Sequence, residues 1–274
     1  MKLQVLVSAM HKEPKALAEK MNLCTEAVII NQCGTHAKEC FTVLDEDGKE
    51  RNICAYSFCE RGVGLSRNNA LLRATADISL FSDDDIIYDA DYEKKISEEF
   101  AAHKDADVLL FNVEVNEKRR TYYNTDFHRV RWYNCGRYPA YAIAIRTEKM
   151  HAHNLTFSLL FGGGAKYSNG EDSLFLVDCL KAGLKLYASP VKIGREEERN
   201  SGSTWFYGYN KKFFYDRGVL YRYLYGAMAK VFGLRFLLKN KKQMCEEVTF
   251  KQAYKWLKEG IYFAKTGKEK SHES

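Results

Sequence analysis

Three consecutive carboxylates, Asp83, Asp84 and Asp85, are the residues of this sequence whose spacing most clearly indicates chemistry. They follow the apolar run 78–82 directly, and the short apolar run 86–88 comes after them. Neighbouring carboxylates repel and raise one another's pKa, so a cation is needed to make the arrangement favourable. Carboxylate oxygens suit Mg²⁺ and Mn²⁺, and Mg²⁺ is commonly held by one or two carboxylates plus substrate phosphates. The triplet therefore predicts a site for a metal and a diphosphate, with a solvated acidic turn as the alternative.

A glycine-containing turn upstream of the triplet leads into a helix. Gly62 and Gly64 interrupt the chain after Arg61, and the first turn of the following helix holds Arg67 and Asn68. A helix N-terminus and a guanidinium group both favour anionic oxygens. This segment is therefore a candidate phosphate-binding element, with surface exposure of Arg67 as the alternative.

A second acidic pair, Glu171 and Asp172, follows the glycine run 162–164 and stands at the start of a predicted helix. Carboxylates in the first turn of a helix stabilise it by about 0.3–1 kcal/mol each. That structural role is the alternative to a chemical role for this pair.

The chain alternates predicted strands and helices around these residues. Strands are predicted at 3–7, 27–30, 52–58, 78–82, 108–111, 141–145 and 184–188, and helices from residue 14 and at 65–76, 92–101 and 173–182. This alternation is typical of an α/β fold with a mostly parallel sheet covered on both faces. Ligands of such sheets bind beyond the carboxyl ends of the strands, which is where the Asp triplet lies.

Over residues 1–195 these motifs, in this order, resemble those of the family 2 glycosyltransferases of the GT-A fold. The triplet 83–85 takes the place of the family's Asp-x-Asp motif, and the pair 171–172 takes the place of its later Glu-Asp motif. The resemblance implies a Rossmann-like mixed, mostly parallel sheet flanked by helices. It also implies an enzyme of the hexosyltransferase type that transfers a sugar with inversion from a nucleoside-diphosphate sugar.

The resemblance also implies roles for the acidic residues. The first motif holds Mn²⁺ or Mg²⁺, which we assign to Asp83 and Asp85, with Asp84 as the alternative if the register shifts by one. The cation stabilises the charge that develops on the departing diphosphate. Asp172 is the general base that accepts the proton of the attacking hydroxyl. Glu171 either orients the acceptor or favours the start of the helix.

Asn31 and Gln32 follow the second strand, where many relatives carry an acidic residue that recognises the base. An amide offers a donor and an acceptor, so it can also pair with the edge of uracil. A nucleoside-diphosphate sugar is therefore the predicted donor, and a UDP-sugar is the member of this class that we name. The expected donor-binding residues are Asn31, Gln32, Arg61, Arg67, Asn68, Asp83 and Asp84.

Basic and aromatic residues alternate in the segment 116–139. Its members include Lys118, Arg119, Arg120, Arg129, Arg131 and Arg137, interleaved with Tyr122, Tyr123, Phe127, Trp132, Tyr133 and Tyr138. Aromatic rings suit sugar faces, and arginines suit phosphate or carboxylate groups. The segment is a candidate acceptor surface, or alternatively a half-buried loop with a basic rim.

The region 196–274 is predicted to be a basic, aromatic-rich helical appendage to the catalytic domain 1–195. Residues 191–274 carry 18 lysines and arginines against 9 acidic residues. Apolar residues recur there near helical spacing, at Leu220, Leu224, Met228, Val231 and Leu238. This face either packs against the catalytic domain or contacts a membrane beside a lipid-linked acceptor.

The cysteine content and the apolar stretches of the chain narrow the class of protein and its cellular location. The eight cysteines form no Cys-x-x-Cys pair and no zinc-like group with histidine, so all eight are expected to be reduced thiols. No signal-like leader and no uncharged stretch of about 20 apolar residues is present, so we expect a cytoplasmic protein, at most peripheral at the inner face of the membrane.

The sequence as a whole predicts a metal-dependent glycosyltransferase of polysaccharide biosynthesis that acts on a glycan or lipid-linked acceptor. A non-catalytic nucleotide-sugar or glycan-binding module on the same fold is the alternative. A nucleic-acid partner is suggested only by the basic tail and is disfavoured.

Overall fold

The computed structural model describes residues 1–45, 47–117, 120–197 and 208–268, and these residues form two compact units. The described residues of 1–159 and 171–197 make up the first unit, and those of 160–170 and 208–268 make up the second. The segment 160–170 thus belongs with the C-terminal helices, although it precedes residue 195 in the chain. The expected boundary between a catalytic domain 1–195 and a C-terminal region 196–274 stays a prediction.

The first unit is built on a mixed sheet to which ten strands of the described residues belong. The strands are β1 (Leu3–Met10), β2 (Glu26–Gln32), β3 (Ala37–Leu44), β4 (Glu50–Phe58), β5 (Ile78–Asp83), β6 (Ile86–Tyr88), β7 (Val108–Glu114), β8 (His128–Arg129), β9 (Ile143–Arg146) and β10 (Leu186–Glu196). Their order is β3-β4-β2-β1-β5-β9-β7-β10-β6, and β8 pairs with β10. The β4-β2-β1-β5 and β7-β10 pairings are parallel, whereas β3, β6, β8 and β9 pair antiparallel. The predicted mixed sheet is confirmed, with four parallel and five antiparallel pairings among the described strands.

Helices cover both faces of this sheet. They are α1 (Pro14–Lys20), α2 (Val63–Leu72), α3 (Tyr92–Ala102), α4 (Thr147–Ala152) and α5 (Glu171–Lys181). Because side chains alternate along a strand, Val5 and Val7 of β1 share a core with Leu17 of α1 and Ile96 of α3. Phe81 of β5 faces the other way and packs against Phe175 of α5. The carboxyl ends of β1 and β5 are therefore positioned by strands that are buried on both faces.

The β3–β4 hairpin corrects the expectation about the cysteines. Antiparallel pairing places Cys40 of β3 opposite Cys54 of β4, and the two form a disulfide. The prediction of eight reduced thiols was therefore wrong for this pair, and the other six cysteines, all described residues, are outside any disulfide. Strand β3 was missed because most of its side chains are exposed and it carries no run of buried apolar residues.

The second unit is helical. It contains α6 (Lys211–Tyr225), α7 (Ala229–Lys239), α8 (Lys241–Met244) and α9 (Phe250–Thr266). Helices α6 and α9 cross closely at Gly218 and Gly260, where a Cβ atom would collide with the backbone of the facing helix. Asp216 of α6 ties in the segment 160–170, since its Oδ2 accepts hydrogen bonds from both the backbone and the hydroxyl of Ser168.

The predicted apolar stripe of the C-terminal region is split by a break between α6 and α7. Gly226, at a φ of 54°, ends α6. Leu224 on the near side of the break is buried, as is Leu220, whereas Val231 and Leu238 beyond it are exposed. None of the helices in the described ranges combines the length and apolar composition needed to cross a bilayer.

Candidate active site

Arg67 joins the two acidic motifs that the sequence singled out. It lies in the second turn of α2 and is only 4% exposed. Its Nη2 donates to Oδ1 of Asp83 at 2.9 Å, and its Nη1 donates to Oε1 of Glu171 at 2.7 Å. A guanidinium presents its donors in a planar fork, so one side chain can hold two carboxylates in a fixed relation. Arg67 of α2 therefore holds the carboxyl end of β5 next to the start of α5.

An aromatic group supports this arginine. The guanidinium lies 5.4 Å from the ring centroid of Phe157, which stacks on Phe175 at 4.2 Å and meets Phe81 edge-on at 4.9 Å. Burial disfavours the charged guanidinium, but the charges of Asp83 and Glu171 outweigh it and raise the pKa of Arg67 above its ordinary value. Arg67 is a permanent, positioned cation at the carboxyl end of the sheet.

The three aspartates of the triplet have different environments. Asp83 pairs with Arg67 and keeps 34% of its side chain exposed. Oδ2 of Asp84 lies 3.8 Å from Nζ of Lys12, which follows β1. Asp85 is 9% exposed, and its backbone oxygen accepts a hydrogen bond from Glu197. Two of the three carboxylates are thus each close to a cation of the protein itself.

The residues present suit a cation that is completed by its substrate rather than caged by protein. Within the described ranges, no three side chains of His, Cys, Asp or Glu come together as a metal cluster. The triplet nevertheless supplies only hard oxygen ligands, the type that Mg²⁺ and Mn²⁺ prefer. One or two such carboxylates plus diphosphate oxygens and water complete an ordinary Mg²⁺ sphere. The donor set therefore fits the predicted metal, and Asp83, Asp84 and Asp85 all stay candidates.

Asp172 has the electrostatics of a general base. Burial, together with the neighbouring charge of Glu171, raises its pKa to about 7, and the charge of Arg67 opposes this shift. Its Oδ1 accepts a hydrogen bond from the backbone of Ser173 at 2.6 Å. Its Oδ2 makes no hydrogen bond to the part of the chain that the structure describes. One carboxylate oxygen is thus held, and the other is available to take a proton near neutral pH.

Asn31 and Gln32 use their amides to hold two loops. The side chain of Asn31 accepts from the backbone N–H of Lys12 and donates to the Lys12 carbonyl, at 3.1 and 2.8 Å. Gln32 does the same with Gly62, at 3.2 and 3.1 Å. The two loops that flank the end of β2 are therefore fixed by side chains of β2 itself. Base recognition by these amides stays a prediction, and loop positioning is a role that the sequence did not show.

Asn68 makes the same kind of paired contact. Its amide donates to the carbonyl of Phe157 at 2.9 Å and accepts from the Phe157 N–H at 2.7 Å. It thereby holds the backbone of the residue on which Arg67 stacks. Arg61 is exposed and lies outside these contacts, so its donor-binding role rests on the sequence alone.

Gly64 is required where α2 approaches the segment held by Asn68. A Cβ atom at this position would collide with the carbonyl oxygen of Ser158, and backbone cannot yield as a flexible side chain can. We expect Gly64→Ala to lower the free energy of unfolding by about 1–3 kcal/mol, as overpacking does. Gly34→Ala is the matched control, because a Cβ there meets nothing within 4 Å. Urea unfolding of both variants checks this, and equal stabilities would contradict it.

The basic and aromatic segment divides into core and surface. Tyr122 and Tyr138 are buried, and the hydroxyl of Tyr138 donates to Asn124. Trp132 and Tyr133 are 48% and 53% exposed and contact each other edge-on. Lys118 and Arg119 lie outside the described residues. The surface part, with exposed Arg129 and Arg131, is what remains of the predicted acceptor surface.

Three residues of this site were not identified from sequence: Lys12 beside Asp84, Phe157 beneath Arg67 and Ser173 on Asp172. Lys12 follows the carboxyl end of β1 closely, and a charged residue at a strand end was an available signal. Phe157 lies in a loop with no regular pattern, so only the fold could place it.

The mixed sheet flanked by helices is that of the GT-A fold. The fold predicted from sequence is therefore confirmed. No protein-family model matches the chain, and no curated protein sequence does.

Solved structures of TarS from S. aureus share this fold. The 1–349 fragment in complex with UDP-GlcNAc is 17% identical, with a TM-score of 0.61 over 90% of this chain and 74% of that one. The same fragment in complex with UDP is 16% identical, with a TM-score of 0.57 over 93% and 78%. A longer TarS chain gives a TM-score of 0.57 at 16% identity over 89% of this chain and 44% of that one. At these identities the likeness shows the fold.

Proposed function

We propose that this protein is an inverting glycosyltransferase that moves a sugar from a nucleoside-diphosphate sugar to a glycan or lipid-linked acceptor. The observation that carries the proposal is the contact of Arg67 with both acidic motifs, Asp83 and Glu171, beside a carboxylate of raised pKa, Asp172. Transfer of a sugar from a diphosphate requires positive charge beside the diphosphate, carboxylate oxygens that can bind a metal ion, and a base for the acceptor hydroxyl. The complexes of TarS with UDP and UDP-GlcNAc support a UDP-sugar as donor.

The donor would lie at the carboxyl ends of β1, β2 and β5. Asn31 and Gln32 shape the loops at the end of β2, and Arg67 and Asn68 shape the start of α2. Asp83, with Asp84 or Asp85, would hold Mg²⁺ or Mn²⁺. When bound, the ion offsets the charge that the departing diphosphate acquires.

Oδ2 of Asp172 would accept the proton that the acceptor hydroxyl loses as it attacks the sugar. Glu171 is committed to Arg67 by a 2.7 Å hydrogen bond, so its neighbour Asp172 is the better base of the pair. Glu171 instead acts by keeping Arg67 in place and by raising the pKa of Asp172. Attack by a hydroxyl activated on the side of the sugar opposite the diphosphate inverts the anomeric centre.

This assignment predicts the pH dependence of the reaction. The pKa of Asp172 is raised to about 7, so the basic form is scarce in acid and dominant above neutrality. We expect kcat/KM to rise about tenfold per pH unit below this value and to level off above it. Initial rates between acidic and mildly alkaline pH check this. A profile that is flat through neutrality would contradict the assignment.

A transfer assay tests the proposed activity. Purified protein is supplied with UDP-sugars, Mn²⁺ or Mg²⁺ and glycan or lipid-linked acceptors, and UDP release is measured with the anomeric configuration of the product. We expect UDP release that depends on acceptor and an inverted product. Donor binding without turnover in any combination would favour the alternative, a non-catalytic nucleotide-sugar-binding module. A retained configuration would contradict the role of Asp172.

The exposed pair Trp132 and Tyr133 is the proposed acceptor surface. Aromatic faces pack against sugar rings, and the neighbouring Arg129 and Arg131 suit an anionic acceptor. A role in polysaccharide assembly and a location in the cytoplasm, at or near the membrane, complete the proposal.

A further inference from the structure

Helix α7 and the residue before it expose a line of large apolar side chains. Met228, Val231, Leu234 and Leu238 are 45%, 56%, 39% and 59% exposed. The three- and four-residue steps between Val231, Leu234 and Leu238 place these side chains on one side of a helix. We call this set the α7 stripe. Exposed aliphatic residues are ordinary when scattered, but a contiguous row of them marks an interaction surface.

The opposite side of α7 already secures the helix. Ala229, Gly233 and Leu237 are buried there. Gly233 lies so close to Leu257 of α9 that a Cβ atom would collide with the leucine side chain. The packing within the second unit therefore uses the other side of the helix, and the α7 stripe is not needed to hold the helix in place.

Exposed cations border the α7 stripe. The helical period places Lys230 along one edge and Arg235 and Lys239 along the other, and Lys241 and Lys242 follow at the end. All five are exposed, and none forms an ion pair with a described residue. Long basic side chains can lay their stems along an apolar surface while their charges reach outward.

The charge around the stripe is strongly one-sided. Residues 208–248 contain nine lysines and arginines and three acidic residues, Asp216, Glu246 and Glu247. Asp216 is buried and pairs with Lys212, so it does not neutralise the cations that border the α7 stripe. A second copy of the chain docked through this face would bring its own cations against them, which electrostatics opposes.

We propose that the exposed side of α7 binds the surface of a bilayer that contains anionic lipids. The α7 stripe inserts among the headgroups, and the bordering cations contact lipid phosphates. An apolar row edged by lysine and arginine fits this occupant better than a nucleic acid, which needs cations but no apolar row. None of the residues of this surface takes part in the proposed reaction, so the membrane proposal does not depend on that function.

Co-sedimentation of the full chain with vesicles tests the proposal. We expect binding to vesicles that mix phosphatidylglycerol with phosphatidylcholine, and little binding to phosphatidylcholine alone. The double variant Val231→Gln/Leu238→Gln should lower partitioning at least about tenfold, because it removes the apolar insertion. The double variant Arg235→Glu/Lys239→Glu should lower it at least about tenfold by reversing two bordering charges.

Matched controls lie in the first unit. Leu72→Gln changes a leucine that is 78% exposed, and Lys94→Glu reverses an exposed charge on α3, so neither should alter partitioning. Failure of the unaltered chain to bind phosphatidylglycerol vesicles would overturn the proposal. Equal binding of the α7 variants and the controls would also overturn it. A dimer in solution that Val231→Gln/Leu238→Gln dissociates would assign the α7 stripe to a second copy instead.

Discussion

Replacing Asp172 with asparagine is expected to lower transfer by about 10²–10⁴-fold, the range that a general base contributes. Asparagine keeps the shape of the side chain and can still accept the hydrogen bond from Ser173, but it cannot take the proton of the acceptor hydroxyl. Donor binding should stay nearly unchanged, because Arg67 keeps its contacts to Asp83 and Glu171. Rates and donor affinity are measured on the same preparation.

The free energy of unfolding of Asp172→Asn distinguishes loss of the general base from a folding defect. Burial and the charge of Glu171 disfavour the ionised form of Asp172 and raise its pKa from 3.8 to about 7. The folded chain therefore loses stability as pH rises between these two values, and the loss is complete above the higher one. The asparagine variant should therefore be at least as stable as the unaltered protein at pH 8. Unchanged turnover would remove Asp172 as the base. Lost turnover together with a clear loss of stability would point to a structural role.

Replacing Arg67 with methionine is expected to lower the free energy of unfolding by about 3 kcal/mol. Removing one partner of a buried ion pair commonly costs 3–5 kcal/mol, and the lower end applies because Asp83 is partly exposed and can regain water. Donor binding should be lost as well, since two acidic groups would remain without their cation. Urea unfolding and nucleotide binding measure the two effects.

A neutralised variant distinguishes charge from packing at this position. Arg67→Met combined with Asp83→Asn and Glu171→Gln removes both carboxylates that Arg67 pairs with, and Asp172 can stay protonated, so most of the lost stability should return while donor binding stays absent. Arg131→Ala, at an exposed arginine, should change stability by no more than about 0.5 kcal/mol. If the triple variant were as unstable as Arg67→Met alone, the stacking on Phe157 would be the main contribution of Arg67.

The order of strands and helices was largely predictable, because buried strands such as β2 and β5 are continuous apolar runs and amphipathic helices such as α3 keep a clear period. Strand β3 was not, since an exposed edge strand carries no such run. The Cys40–Cys54 disulfide was missed for the same reason: its partners become neighbours only through that hairpin.

The members of the site could be proposed from sequence, but their contacts could not. Arg67, Asp83 and Glu171 each stood out by type and position. Which carboxylates Arg67 would bind depends on how β5 and α5 meet, and residues 104 apart in the chain give no local signal for that. The amide contacts of Asn31 and Gln32 with backbone were likewise invisible, because a backbone partner leaves no trace in the sequence.

The proposed function requires the strand ends around Arg67 to bind a nucleoside-diphosphate sugar. Thermal unfolding of the purified chain with UDP, other nucleoside diphosphates and their sugars, each with and without Mn²⁺, measures this binding. A ligand present at 100 times its Kd stabilises the folded state by about 2.7 kcal/mol. We expect such an increase with UDP or a UDP-sugar, larger with Mn²⁺ and absent in Arg67→Met. An unfolding temperature that no nucleotide raises, with or without metal, would contradict the proposed function.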